Sequence, residues 1–283
     1  MVAGALISMA TMAACTYRAD PAPPRTARNP RIVSLNPCSD AILAEVADPA
    51  QILALSAYSR DPASSSLPPE TVARYRTTHG TVEEVVALHP DVVIDGMFVP
   101  PATVSAYARM GLRLEMLGSQ RSVDDAIADV RHLAAIAGHP ERGEALVARI
   151  DAALAAAAPP RGQPPVDAVL WEWGGMVAGA DTLSGDLLGR TGFANMAARL
   201  GYRQADLFPL ERMVAHPPRV ILTTGRDRTL DHPALGALHG TARVLFPEGL
   251  LYCGGPTIIR AAARLAAVRR ALDRGAPLPG GIS

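Results

Sequence analysis

Ser122-Val-Asp-Asp-Ala-Ile-Ala-Asp-Val-Arg-His-Leu-Ala-Ala-Ile-Ala-Gly-His-Pro140 decides how the rest of the chain is read. Val123, Ile127, Val130, Leu133 and Ile136 recur at helical spacing, so a helix over Ser122–Ala137 has one apolar face. Gly138-His139-Pro140 breaks it. Glu141–Ala158 resumes with Leu146, Ile150 and Leu154 at steps of four, about 27 Å of helix at a rise of 1.5 Å per residue. Pro159-Pro160 ends it, and a polar Pro/Gly stretch leads to Val166.

On either side of this block the period differs. Upstream, Arg31–Leu35 is a β-branched run ending at Asn36-Pro37, which reads as a turn. A helix over Ser39–Ala47, a strand over Gln51–Ser56, and short helices over Pro68–Tyr75 and Thr81–Leu88 follow. A strand over Asp91–Asp95, a helix over Pro101–Met110 and a strand over Arg113–Leu117 complete the set. Downstream, strands are expected over Val166–Trp171, Arg219–Thr223 and Ala242–Phe246. Helices are expected over Leu183–Thr191, Leu210–Ala215 and Thr257–Leu272. Alternation of this kind implies parallel sheets with helices on their faces. The fold class is therefore α/β: two α/β lobes with central parallel sheets, over residues 31–120 and 161–283, joined by a long rigid connecting helix within connecting helices over 121–160. A weak internal repeat agrees. Glu84-Val-Val-Ala-Leu-His-Pro-Asp-Val-Val-Ile94 and Glu211-Arg-Met-Val-Ala-His-Pro-Pro-Arg-Val-Ile221 share the register Glu, Val, His-Pro, Val, Ile.

Composition narrows the function. The 283 residues carry 27 cations and 27 anions, and every cation is Arg. Zero net charge without a basic block argues against nucleic acid as a partner. A hydrophobic share of 49% supports a packed core, and Ala at about 18% makes the helices slim and closely packed. No stretch reaches 18 apolar residues, so no conventional membrane span is expected.

Residues Val2–Ala14 are apolar or small, and Cys15 follows, preceded by Met12-Ala13-Ala14. This pattern looks like the end of a secretory leader with a lipoprotein-type cleavage site over residues 1–15, with Cys15 carrying lipid. Residues 16–30, rich in Pro, would then form a tether. No Lys or Arg precedes the apolar run, and Met12 stands where such sites usually have Leu.

Several stretches together carry a resemblance: Arg31-Ile-Val-Ser-Leu-Asn-Pro-Cys-Ser-Asp40, Ala54-Leu-Ser-Ala-Tyr-Ser-Arg-Asp-Pro62, Glu84–Asp95, Thr182-Leu-Ser-Gly-Asp-Leu-Leu-Gly-Arg-Thr-Gly192, Glu211–Leu222 and Cys253-Gly-Gly-Pro256. In their order and spacing, from about Arg31 to Leu272, the chain resembles periplasmic substrate-binding proteins of ABC importers. The class is the one whose two lobes are joined by a rigid helix and which carries cobalamin, ferric siderophores, haem or metal ions. The resemblance implies a periplasmic monomer that holds a small metal-chelate ligand (a corrinoid, haem or a ferric siderophore) in an interlobe cleft. It would deliver that ligand to a permease and ATPase complex in the inner membrane, with no resident cofactor and no catalysis. In the cobalamin-binding relatives one surface Glu per lobe docks on permease arginines, and those positions map onto Glu84 and Glu211. Each also has a local reading: Thr81-Val-Glu-Glu84 is a capping box, and Glu211 is an anion in a first helical turn. Tyr58 matches an aromatic ligand contact of those relatives, whereas another such contact falls at Thr78 here.

Ligands of two-lobed α/β proteins meet strand ends and the helix starts that follow. That rule selects Asn36–Asp40, Tyr58–Asp61, Thr78-His79 and Gly96–Phe98 in the first lobe. In the second it selects Trp171-Glu172-Trp173, Gly225-Arg226 and Tyr252-Cys253. Trp171 and Trp173, two apart on a strand, would share a face and form a platform for a flat ligand, with Glu172 opposite; otherwise one packs in the core. Arg60 and Arg226 suit a ligand carboxylate or phosphate, or are ordinary surface arginines. Cys38 and Cys253 have three readings: a disulfide, soft-metal ligands with His79 or Glu172, or small buried residues. The seven His lack zinc-type spacing, and four of them precede Pro. There is no Gly-x-Ser-x-Gly elbow, P-loop, dinucleotide fingerprint or zinc-protease helix. The expected function is thus a binder. The alternatives are a cytosolic α/β enzyme with an interlobe site, and transition-metal capture by Cys38, Cys253 and His79.

Overall fold

A computed structural model describes residues 29–225, 227–236, 238 and 240–281. The expected leader with Cys15, nearly all of the expected tether, and Arg226 lie outside the described residues.

The first lobe runs β1 (Ile32–Ser34), α1 (Pro37–Val46), β2 (Ile52–Ser56), α2 (Pro69–Val72), β3 (Thr77–Thr78), α3 (Val82–Ala87), β4 (Val92–Gly96), α4 (Pro101–Arg109) and β5 (Arg113–Leu117). Its five strands are all parallel, in the order β3-β2-β1-β4-β5. Alternation along β1 and β4 sends Ile32 and Ile94 to one face and Val33 and Val93 to the other, and both faces are covered. Helix α1 starts at Pro37 rather than Ser39. Asn36 is its cap, accepting from the Cys38 N–H at 2.8 Å, and Pro37 fits the first helical position, where no N–H is needed.

The connector consists of two helices, α5 (Val123–Ala137) and α6 (Pro140–Ala157), packed on each other across the Gly138-His139 break. Ser122 caps α5 by accepting from the Asp125 N–H at 3.1 Å. Helix α6 is tied to the first lobe by Arg142 to Asp48 and Arg149 to Glu45, each at 2.8 Å.

The second lobe runs β6 (Val166–Trp171), β7 (Met176–Val177), α7 (Leu183–Arg190), β8 (Phe193–Asn195), α8 (Met196–Arg199), β9 (Asp206–Leu207), α9 (Leu210–Ala215), β10 (Val220–Thr223), α10 (Pro233–Gly236), β11 (Ala242–Leu245) and α11 (Thr257–Arg274). Its sheet has the order β11-β10-β6-β7-β9, with β8 also on β6. The β11-β10-β6 centre is parallel as expected, but β7 and β9 add an antiparallel edge. The start of α5 is fastened to this lobe: the Val123 N–H donates to Asp186 of α7 at 2.8 Å.

The repeated segments form the same unit in each lobe, a short helix (α3, α9) followed by a buried strand (β4, β10). The two sheets are separate, yet one apolar cluster crosses between them. It contains Ile42 and Ile94 of the first lobe, Val130, Leu146 and Ile150 of the connector, and Leu170, Val220 and Leu265 of the second lobe. Among the described residues no helix is long and apolar enough to cross a membrane.

Candidate functional site

The carboxyl ends of three first-lobe strands and one second-lobe strand come together at a cavity. Residues following β1, β4 and β5 meet Tyr252, which follows β11, around a cavity of about 220 Å³. Asn36, Cys38, Met97, Phe98, Ser119 and Gln120 contribute from the first lobe and its exit.

Cys38 and Cys253 form a disulfide between the two lobes. Both sulfurs are consumed, so soft-metal ligation by these thiols with His79 or Glu172 has no thiolates to use. Among the described residues no group of three or more His, Cys, Asp or Glu could hold a metal ion. Cys38 still lines the cavity, while Cys253 is buried.

The tryptophan pair divides. Trp171 is fully buried, donates through Nε1 to Asp227 at 2.9 Å, and packs with Val169, Phe208, Met213 and Ile221. Trp173 is 83% exposed. The shared platform fails because β6 ends at Trp171. Residues Trp173–Gly175 form a short turn with Gly174 at φ 71°, so strand alternation no longer applies. Glu172 sits between them, and its carboxyl is pushed up first by burial and then by the neighbouring Glu248 carboxylate.

Tyr58 is 68% exposed on the Ala57–Arg60 turn after β2, and Arg60 is exposed on the same turn. The turn is held from below. Asp40, buried in the first turn of α1, accepts from the Ser56 N–H at 2.9 Å and from Ser59 Oγ at 2.6 Å. Burial pushes the Asp40 carboxyl up to about 7, against hydrogen bonds from Ser34, Ser59 and Ser56 that favour its charged form.

His79 is exposed beyond β3, and its N–H donates to Glu84 at 2.8 Å. Thr78 Oγ1 donates to the same Glu84 oxygen at 2.6 Å. Hydrogen bonding by Thr78, first among several causes, holds the Glu84 carboxyl below the usual carboxylate range. The expected capping box is thus only half made in its usual form. Thr81 does accept from the Glu84 N–H at 3.2 Å, but the Glu84 carboxylate reaches back to Thr78 and His79. Glu84 and Glu211 are both exposed, each in the first turn of a short helix.

Sequence reasoning gave no separate role to Phe98, 90% exposed, or Tyr252, 48% exposed, although both lie within the strand-end stretches it selected. Gln120 carried no signal. Its role depends on accepting from the Gly254 N–H at 2.7 Å, a partner 134 residues away.

Comparison with known proteins agrees with this architecture. The apo form of the periplasmic haem-binding protein RhuT from Roseiflexus sp. RS-1 superposes with a TM-score of 0.70 at 24% identity, over 84% of this chain and 97% of that one. A periplasmic haem-binding protein from Pseudomonas aeruginosa gives 0.68 at 21% identity, over 90% and 98% of the two chains. The periplasmic vitamin B12-binding protein BtuF of Vibrio cholerae gives 0.65 at 16%, over 87% and 98%. At these identities the likeness concerns the fold. No curated protein sequence matches the chain significantly. Residues 32–237, well over half of the chain, match the profile described as periplasmic binding protein, so the chain belongs to the periplasmic binding protein family.

Proposed function

We propose that the chain is the solute-binding component of an ABC importer, capturing a flat metal chelate (a corrinoid, haem or a ferric siderophore) in the interlobe cleft and passing it to a permease. The observation that carries this reading is the set of exposed aromatics at the strand ends of both lobes. Tyr58 and Phe98 come from the first lobe, and Trp173 and Tyr252 from the second. Phe98 and Tyr252 line the cavity itself, and exposed apolar side chains at such a place mark a binding surface. A large planar ligand would place one edge in the cavity and lay its faces against these rings. The haem and vitamin B12 ligands named for the structural neighbours belong to those proteins and support the same ligand class here. Such a binder needs shape and moderate affinity rather than catalytic groups.

The test is tryptophan fluorescence titrated with haemin, cyanocobalamin and a ferric siderophore. Trp173 is exposed and Trp171 is buried, so Trp173→Phe should weaken the quenching by removing the tryptophan nearer the solvent-facing ligand. No quenching and no affinity for any of the three would sink the flat-chelate reading.

Delivery rests on Glu84 and Glu211, exposed at the same register of the two lobes. They would meet permease arginines, with the protein held at the membrane by lipid on Cys15. Glu84→Arg with Glu211→Arg should abolish uptake and leave ligand affinity as it was. Lost affinity in the purified double variant would contradict a docking role.

A further inference from the structure

The segment Pro247–Pro256 belongs to the second lobe by sequence, since it follows β11 and leads into α11. It is nevertheless fastened to the first lobe at several points, although the Leu251 carbonyl within it accepts from Ser184 of α7 at 3.2 Å. Gly249 presses on the 62–65 loop so closely that a Cβ would stand 2.7 Å from the carbonyl oxygens of Pro62 and Ser65. Cys253 is bonded to Cys38. The Gly254 N–H donates to Gln120 at 2.7 Å. Just beyond, Thr257 and Ser66 share a buried hydroxyl–hydroxyl bond of 2.6 Å.

Tyr252 stands between the first two of these anchors. It lines the cavity, its hydroxyl donates to Glu248 at 3.3 Å, and its carbonyl oxygen lies 3.5 Å from the Cys38 sulfur. On the other side of the disulfide, Cys38 occupies the first turn of α1, next to Asn36 of the cavity wall. Two residues on, Asp40 grips the turn that carries Tyr58. One covalent bond therefore ties the segment that carries Tyr252 to the first turn of α1, the same turn from which Asp40 holds the Tyr58 turn.

We infer that the Cys38–Cys253 disulfide is a positioning element of the ligand site, presenting Tyr252 to the cleft so that the oxidised protein is the binding-competent form. This deepens the proposed function and rests on it for the ligand. The physical reason is preorganisation. With the bond closed, the Tyr252 segment has little conformational freedom left to lose on binding; with it open, ordering that segment is charged against affinity. Opening needs two electrons and two protons from a dithiol, which itself becomes a disulfide, and yields two thiols.

The experiment compares oxidised wild-type protein, the same protein reduced with dithiothreitol, and Cys38→Ser/Cys253→Ser, each shown by far-UV circular dichroism to be folded. Haemin and cyanocobalamin serve as probes. Affinity for the probe that binds the wild type should fall at least about tenfold in both open forms, the scale expected when a preorganised contact becomes mobile. Tyr252→Ala should lose a comparable amount in the oxidised protein, and the triple variant little more than either. Such non-additivity distinguishes positioning of Tyr252 from general weakening of the fold. Unchanged affinity in the open forms, or losses that simply add, would overturn the inference. Amide hydrogen exchange gives a readout independent of ligand. Protection should drop over residues 248–256 and 36–40 on reduction, while α6 and β4 keep theirs. If neither probe binds the wild type, the flat-chelate reading fails, and unchanged exchange at 248–256 would separately overturn the role given to the disulfide.

Discussion

Asp40 shows how a single buried carboxyl ties stability to pH. In the unfolded chain it loses its proton near 3.8, and in the folded protein near 7. Between those values the native state holds a proton that the unfolded state has released, so stability falls as pH rises from about 4 to about 7 and is level above. At about 1.4 kcal/mol per pH unit the full swing is about 4 kcal/mol. Asp40→Asn keeps an oxygen for Ser56 and Ser59 and removes the titration. Its urea midpoint should therefore change less between pH 5 and pH 8 than that of the wild type, and parallel profiles would contradict the assignment. None of this is legible from Asp40 as a letter in the sequence, because its burial comes from β2 and the Ala57–Arg60 turn folding over α1. Trp171 makes the same point. Its spacing from Trp173 and the end of the strand at Trp171 were readable, but the Trp173–Gly175 turn and the Asp227 partner, 56 residues on, were not.

Among the elements, α5, α6 and α11 were the most legible, because fifteen or more residues carry the helical period clearly. The strands β3, β7, β8 and β9 escaped, since two or three residues cannot show alternation and none has the β-branched run and Asn-Pro stop that flag the equally short β1. Helix α11 also carries a polar device that its apolar period hides. Arg269 is 3% exposed, pairs with Asp273 at 3.0 Å, and donates to the carbonyl oxygens of Gly192 and Pro164. It thereby joins the last helix to the start of the second lobe. Arg269→Met leaves Asp273 and two carbonyls short of a donor and should cost about 3 kcal/mol, seen as a lower urea midpoint with an unchanged slope. Asp273→Asn, which keeps the arginine and its carbonyl contacts, should cost less than half as much.

Across the whole molecule, the apolar cluster shared by both lobes and the connector predicts a single unfolding event. Calorimetry should give one transition whose van't Hoff and calorimetric enthalpies agree; two separable transitions would mean that the lobes fold independently. The two-lobed plan was legible because each lobe repeats its own alternation around a helical block. The covalent tie between lobes stayed one of three options, because nothing local to Cys38 or Cys253 reveals a partner 215 residues away. That separation also bears on biogenesis. A chain threaded across a membrane from its amino end exposes Cys38 early and Cys253 almost last, so the first thiol waits unpartnered through most of translocation. The sequence holds one other thiol, Cys15, close enough along the chain to capture it wrongly. If Cys15 is acylated, or removed with a leader, as proposed above, a single pairing is left, and maturation of the amino terminus would then also safeguard the correct crosslink.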